Sequence, residues 1–259
     1  MVTLEIAVLS FIFWKVVIAI VLFLDALNGH RKAHGNPAAR RHPVDDSEVD
    51  LTRRGYDAVA RSYASEIADE LPGKPLDRAV LDVVVELAAG GLIADIGCGP
   101  GHVAAHLAGR GAAVVGVDLS EAMCALASRT WLLPCCAANM TALPIRPQSL
   151  AAIVALYSVI HLDTPGRVAA YREFARTLRS AGHALIAFHT GDAEVPAGGR
   201  RTLTDWWGHR VELVFRFLDP AEETALLAEA GLVISARIDR EPVPGVEHPS
   251  RRTYLLVRR

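Results

Sequence analysis

The sequence lacks an excess of charge of either sign, and it is poor in cysteine and in aromatic residues. Its 27 Lys and Arg oppose 29 Asp and Glu, which gives a formal net charge of −2, and aromatic residues make up only 6%. Proteins that bind nucleic acid are usually basic, so we expect no nucleic-acid partner. The 259 residues, of which 51% are hydrophobic, suffice for one large domain with a sizeable core.

The chain has four cysteines and no C-x-x-C pair, which argues against a zinc site, and we expect no metal. Cys135 and Cys136 are adjacent, which is poor geometry for a mutual disulfide. We therefore interpret these two, together with Cys98 and Cys124, as reduced thiols. Cys98 stands in a glycine-rich turn, where it is either a reactive thiol or simply a small residue that lets the backbone approach a ligand.

Two common nucleotide-binding motifs are missing. A dinucleotide fold requires G-x-G-x-x-G, but the turn at 97–102 reads "GCGPGH", so the third glycine comes one residue early. No G-K-[ST] follows, which excludes a P-loop. The turn therefore does not fit a nicotinamide oxidoreductase or a P-loop enzyme.

From Leu51 to Arg259, strand and helix patterns alternate, which predicts a parallel sheet with helices on both faces. The last two strand patterns, "LVISARIDREP" and "RRTYLLVRR", have no helix between them and predict an antiparallel edge hairpin. The expected fold class is α/β, a Rossmann-like, doubly wound, mostly parallel sheet. The stretch 192–219 breaks the alternation, and we interpret it as an irregular insert. The glycine turn at Gly182 is expected to close the helix "RVAAYREFARTLRS".

A hydrophobic helix is predicted before this domain. Residues 6–24 form one apolar run with a single charge, Lys15, and at about 1.5 Å per residue the run would reach roughly 28 Å, close to the thickness of a bilayer core. A central Lys costs roughly 2.5–3.5 kcal/mol, whereas each Ile, Val, Leu or Phe contributes roughly 0.3–0.6 kcal/mol toward insertion. We therefore expect residues 1–27 to hold a single transmembrane anchor.

The residues after this run set the expected orientation and domain organisation. Arg31, Lys32, Arg40 and Arg41 follow the run, so the positive-inside rule places the domain in the cytoplasm. Residues 28–50 are expected to be a polar linker, and 51–259 the folded domain. The alternative is a true start near Val44, which would leave a cytoplasmic protein without an anchor.

Two carboxylates indicate the kind of ligand that the turn holds. Asp95 comes two residues before the first glycine, where it would repel a pyrophosphate but suit a positively charged amine. Asp118 ends the next strand, where an acid can accept hydrogen bonds from ribose hydroxyls. An amine, a ribose and no phosphate together describe S-adenosylmethionine.

The segments "DIGCGPG" and "GVDLS" resemble the class I S-adenosylmethionine-dependent methyltransferases. The similarity extends over about Leu51 to Arg259, because "NMTALPI", "IVALYSVIHL" and "EFARTLRSAGHALIAFH" match later segments of the small-molecule branch in order. Asn139 departs from the Asp that the family often has there, and an amide oxygen accepts a hydrogen bond without charge assistance.

The resemblance implies a set of cofactor-binding residues, for whose aromatic members ordinary packing remains an equal alternative. Those expected at the methionine part are Asp95 and the turn Gly97, Cys98, Gly99 and Gly101; at the ribose and adenine, Asp118, Leu119, Met123, Asn139 and Met140; beneath the sulfonium, Leu156 and Tyr157; and closing over the cofactor, Tyr56 and Tyr63.

Methyl transfer from a sulfonium is an in-line displacement, so the protein mainly has to align the reactants and exclude water. If the acceptor carries a proton, a base is needed. His161 is the first candidate and His189 the second, since each follows a strand at the edge where ligands bind. Either can instead have a structural role.

Trp206, Trp207 and His209 are candidates for lining an apolar or cationic substrate, and a small satellite core is the alternative. The expected function is methyl transfer from S-adenosyl-L-methionine to a small-molecule acceptor. The alternative is a weak or inactive cofactor-binding domain that serves as a membrane-tethered interaction module. The sequence leaves the acceptor atom and the oligomeric state open.

Overall fold

A computed structural model describes residues 46–259. In this range the helices are α1 (Asp46–Ile67), α2 (Pro75–Ala88), α3 (His102–Gly109), α4 (Glu121–Trp131), α5 (Thr164–Thr177) and α6 (Pro220–Glu229). The strands are β1 (Leu92–Ile96), β2 (Ala113–Asp118), β3 (Cys135–Ala137), β4 (Leu150–Leu156), β5 (Leu178–Asp192), β6 (Arg200–Trp206), β7 (His209–Arg216), β8 (Val233–Arg240) and β9 (Ser250–Arg258).

The main sheet has the strand order β3-β2-β1-β4-β5-β9-β8. The first five strands are parallel to one another, and β9 runs antiparallel to both β5 and β8. Every residue of β1 is buried, as a parallel strand with helices on both faces requires. The expected α/β fold, with its antiparallel strand near the edge, is thus confirmed.

Side-chain caps begin three of the helices. Ser120 accepts a hydrogen bond from the Met123 amide at the start of α4, as its position before the helix indicates. Asp163 caps α5 and Asp219 caps α6 in the same manner. Helix α1 already includes residues 46–50, so the last part of the predicted linker is helical.

The stretch interpreted as an irregular insert is instead mostly a regular hairpin. Strands β6 and β7 pair antiparallel, and Trp207 and Gly208 turn the chain between them with φ of 50° and 77°. The hairpin packs against α1, which gives it a partner outside the main sheet. Because the hairpin packs on α1, this stretch is regular although it departs from the strand–helix alternation of the main sheet.

The end of α5 also differs from the expectation. The helix ends at Thr177, and the chain enters β5 directly at Leu178, which is fully buried and pairs with Leu150. Gly182 therefore lies within the strand and does not close the helix, because the chain already pairs with β4 from Leu178 onward.

Among residues 46–259, no helix combines the length and the apolar character needed to cross a membrane. The hydrophobic run at 6–24 lies outside the described residues.

Candidate active site

The glycine turn between β1 and α3 owes its shape to backbone that only glycine adopts readily. Gly97, Gly99 and Gly101 have φ of 76°, 53° and 88°. A Cβ on Gly97 would lie 2.2 Å from the Cβ of Ser158, which follows β4. Gly101 has a different role, since a Cβ there would lie 2.8 Å from the Ala127 Cβ of α4. Gly97 and Gly99 line a cavity, whereas Gly101 lets two helices approach.

This cavity lies at the carboxyl ends of β1, β2 and β4, where open α/β sheets bind ligands. Twelve of its lining residues are also sequence-predicted site residues: Tyr56, Tyr63, Gly97, Gly99, Asp118, Leu119, Met123, Asn139, Met140, Leu156, Tyr157 and His161. Sequence reasoning missed Val49, Thr52, Ile96, Val117, Ala138, Ser158 and Leu162, which complete the lining. Ser158 could have been predicted, because it directly follows Tyr157 at the end of β4.

Asp118 presents its carboxylate to the cavity while two backbone amides hold it. Gly99 N donates to Oδ2 and Ser120 N to Oδ1, each at 2.8 Å. Burial raises the pKa of Asp118 to about 7, although both amide hydrogen bonds act in the opposite direction. Each carboxylate oxygen has a second lone pair, so the group can still accept two hydroxyl hydrogen bonds.

Asp95 lies behind the cavity and is not part of its lining. It is 2% exposed, and burial, followed by repulsion from Asp118, raises its pKa to about 7. The Ala104 amide near the start of α3 bonds to it, but Oδ2 is buried without a hydrogen-bond partner. A buried carboxylate oxygen of this kind is costly unless a donor reaches it.

Asn139 uses its amide oxygen locally, since Oδ1 accepts a hydrogen bond from the Thr141 amide at 3.0 Å. This oxygen was the expected acceptor for the adenine amine, and it now shares its lone pairs with the turn. Cys98 does not line the cavity; its side chain is buried, with its sulfur 3.5 Å from the sulfur of Cys135.

His161 connects α1 to the hairpin. Its Nδ1 lies 2.9 Å from the Val214 carbonyl, which can only accept, so Nδ1 carries the proton. Its Nε2 therefore accepts from the Tyr56 hydroxyl, at 2.7 Å. Burial lowers the pKa of His161 to about 4, so the ring is neutral at pH 7. Its one acceptor nitrogen is already occupied.

Aromatic side chains form a roof over this end of the cavity. The Tyr56 and Tyr63 rings meet edge to face, with centroids 5.9 Å apart, and both contact Trp206. Trp207 stacks on Trp206 at 4.5 Å. The two tryptophans thus pack on the tyrosines and do not line the cavity, and His209 is exposed at the hairpin end.

His189 lies behind Tyr157 and not in the cavity. Its ring stacks on Tyr157 at 4.8 Å, and its Nδ1 shares a hydrogen bond with the Ser250 hydroxyl. Burial, followed by the charge of Arg252, lowers the pKa of His189 to about 3. His189 is thus not among the residues that line the cavity.

A buried network of charges supports Tyr157 from the far side. The Tyr157 hydroxyl lies 2.6 Å from that of Tyr254, and Tyr254 donates to Asp77 at 2.9 Å. Arg240 pairs with Asp77 and with Glu247. These residues are widely separated in the sequence, which gave no signal of their meeting.

The comparisons with known proteins agree with this geometry. Residues 93–182 match a family model described as a methyltransferase domain. The 1,6-didemethyltoxoflavin-N1-methyltransferase of Burkholderia thailandensis, solved with S-adenosylhomocysteine, is 16% identical with a TM-score of 0.66, covering 86% of this chain and 93% of that one. No curated protein matches the sequence.

Two further solved structures share the fold. The CcbJ methyltransferase from Streptomyces caelestis is 20% identical with a TM-score of 0.63, covering 81% of this chain and 98% of that one. The magnesium protoporphyrin IX methyltransferase from Synechocystis PCC 6803, with bound S-adenosylhomocysteine, is 16% identical with a TM-score of 0.59, covering 82% and 99%.

The fold is a Rossmann-like α/β domain with a cavity at the carboxyl ends of its parallel strands. Residues 93–182 thus match a methyltransferase domain, and the solved structures that share the fold include methyltransferases, two of them with bound S-adenosylhomocysteine.

Proposed function

We propose that the chain transfers the methyl group of S-adenosylmethionine to a small-molecule acceptor that enters beneath the aromatic roof. The observation that carries this proposal is the cavity in which Asp118, the Gly97–Gly99 backbone and the roof tyrosines converge. The solved relatives include enzymes named for small acceptors, such as didemethyltoxoflavin and magnesium protoporphyrin IX. We expect the domain to extend from α1 to Arg259.

The residues fit the cofactor by the chemistry of their free groups. Asp118 offers carboxylate lone pairs for the ribose hydroxyls, and Leu119, Met123 and Met140 offer apolar surface for the adenine. The unpartnered Oδ2 of Asp95 suits the methionine ammonium, although that oxygen lies behind the lining. When bound, the cofactor supplies an electrophilic methyl group on a sulfonium.

The chain's own groups then align the acceptor and exclude water. His161 acts as a positioning residue, because its Nε2 holds the Tyr56 hydroxyl and its Nδ1 proton is bound to Val214. Tyr56 lines the cavity, and its oxygen keeps lone pairs free to accept a hydrogen bond from a proton-bearing nucleophile. This assignment replaces His161 as a direct general base.

The aromatic roof indicates the chemical class of the acceptor. Tyr56 and Tyr63 line the cavity, and Trp206 stands behind them, so an acceptor would meet ring faces and edges. Such walls favour flat, apolar or cationic molecules. We infer an acceptor of this kind.

The test combines binding and turnover. Calorimetry of the full chain with S-adenosylhomocysteine should show one site, and Asp118→Ala should remove most of the binding. A screen of flat apolar and cationic metabolites with labelled S-adenosylmethionine should then find methyl incorporation. Binding without turnover on any acceptor would favour the inactive interaction module, and the absence of binding would contradict both proposals.

We also propose that residues 6–24 anchor the chain in a membrane, with the domain on the cytoplasmic side. The support is the length and apolarity of this run, with Lys15 as its one charge. The full chain should remain with membranes after alkaline carbonate extraction, and a chain starting at Val44 should not. Release of both would contradict the anchor and favour the shorter cytoplasmic form.

A further inference from the structure

Three thiols from three different elements meet beneath the glycine turn. Cys98 belongs to the turn, Cys124 to α4 and Cys135 to β3, and all are free cysteines. The sulfurs of Cys98 and Cys135 are 3.5 Å apart. Hydrogen bonds from these two thiols, that of Cys135 first, lower the pKa of Cys124. The cluster is therefore a group of mutually contacting sulfurs.

A glycine makes the room in which the sulfurs meet. Gly116 of β2 is paired with Cys135, and a Cβ at this glycine would lie 2.8 Å from the Cys98 sulfur. The same Cβ would lie 3.1 Å from the Cys135 sulfur. Any larger residue would separate the two thiols, so their contact depends on this position.

Metal binding does not explain the cluster. Within the described part of the chain, no group of three or more His, Cys, Asp or Glu side chains has an arrangement that could hold a metal ion. Thiol oxidation remains as the chemistry that two sulfurs at contact distance can carry out.

We propose that Cys98 and Cys135 are a modification site that closes to a reversible disulfide under peroxides. Each thiol loses its proton, one S–S bond forms and the O–O bond of the peroxide breaks. The two sulfurs together give up two electrons, which reduce hydrogen peroxide to two water molecules. A dithiol reductant reverses the reaction by thiol–disulfide exchange.

Formation of the disulfide should alter the cofactor pocket through the glycine turn, and this consequence rests on the proposed function. Closure shortens the sulfur separation from 3.5 Å to about 2.05 Å, and we expect this to draw Cys98 toward β3. Cys98 N donates to the Val117 carbonyl, and the adjacent Gly99 N donates to Asp118. A shift of the turn therefore disturbs the carboxylate that faces the ribose, and cofactor binding should weaken.

Peptide mapping of the full chain tests the cross-link without any cofactor. Reduced protein is treated with hydrogen peroxide, its remaining thiols are alkylated, and the digest is analysed by mass spectrometry. We expect a linked pair of peptides containing Cys98 and Cys135, two hydrogens lighter than their sum, that dithiothreitol separates. Full alkylation of all four cysteines, or a cross-link through Cys124 in place of this pair, would overturn the proposal.

Cys136 provides the matched control, because it points to the opposite face of the same strand. Cys135 packs with the core cluster that contains Ala127, whereas Cys136 packs with the cluster that contains Leu143. Cys136→Ser should therefore form the cross-link, and Cys135→Ser should not. Cys98→Ser gives a second, independent loss if Cys135→Ser melts too early for use.

Binding of S-adenosylhomocysteine to the two redox forms tests the consequence. We expect a Kd at least fivefold higher in the oxidised protein and full recovery with dithiothreitol, with no change on peroxide treatment of Cys135→Ser. An unchanged Kd in cross-linked protein would overturn the link to the pocket. If reduced protein fails to bind at all, the proposed function is wrong, and mapping alone decides the disulfide.

Discussion

The affinity for S-adenosylhomocysteine should rise with pH because Asp118 must ionise to accept the ribose hydroxyls. The carboxyl group has a pKa of about 7 in the free protein, since burial outweighs its two amide hydrogen bonds. Below this value the protonated form predominates, and its hydroxyl competes with those of the ribose. Binding that selects the ionised form is therefore linked to loss of one proton.

The magnitude follows from the ionised fraction. For a pKa of about 7, that fraction is roughly 0.09 at pH 6 and roughly 0.9 at pH 8. The Kd should thus fall by about tenfold between these pH values and change little above pH 8. The ligand's own amine and carboxyl group do not change charge appreciably in this interval.

Isothermal titration calorimetry at pH 6, 7 and 8 gives this profile, and Asp118→Asn is the perturbation. The variant should bind more weakly and with a smaller pH dependence, because an amide cannot ionise and can satisfy only one of the two backbone amides, which leaves the ionisation of Asp95 as the remaining contribution. Asp219→Asn is the matched control: its carboxylate also accepts a backbone amide, but it is exposed at the start of α6. A flat profile in the wild type, or the same slope in Asp118→Asn, would refute the reasoning.

Three other substitutions have defined outcomes. Tyr56→Phe removes the hydrogen bond to His161. We expect kcat to fall at least tenfold while the Kd of S-adenosylhomocysteine changes less than threefold. Equal losses in kcat and in affinity would instead indicate damage to the pocket. Gly97→Ala places a Cβ 2.2 Å from that of Ser158 in backbone of positive φ. Denaturant unfolding should therefore show a free energy of unfolding lower by more than about 2 kcal/mol. A variant as stable as the wild type would contradict this close approach of the turn to Ser158. Asp95→Asn should gain stability relative to the wild type as pH rises from about 4 through 7, because the folded-state pKa of Asp95 is raised and its ionisation destabilises the folded protein. Thermal unfolding of both proteins at pH 5 and pH 8 measures the change. The same difference in Tm at both pH values would contradict the prediction.

The sheet and the cofactor end of the cavity could be predicted because their signals are local. Gly97 and Gly99 adopt positive φ, Asp118 ends its strand at the sheet edge, and Ser120 caps the next helix. In each case a short run of sequence determines the backbone, and the parallel sheet brings the strand ends to one side.

The roof and the charge network could not be predicted because their partners are distant in sequence. Tyr56 meets His161 across 105 residues, and Tyr254 meets Asp77 across 177. The hairpin was missed because its strands pack on α1 and not on the main sheet, so they lack the apolar pattern of a buried strand. The sequence also carried no sign that Asp95 is 2% exposed and bonded to the Ala104 amide of α3.

Helix α1 carries both roof tyrosines and is held to the hairpin by the ion pair of Glu48 with Arg216. The chain that precedes Asp46 is therefore connected, through the backbone of α1, to the aromatic roof over the cavity. A force or a binding event on that preceding segment would therefore act first on the aromatic roof. If residues 6–24 anchor the chain as proposed, the anchor and the aromatic roof would share one helix, α1.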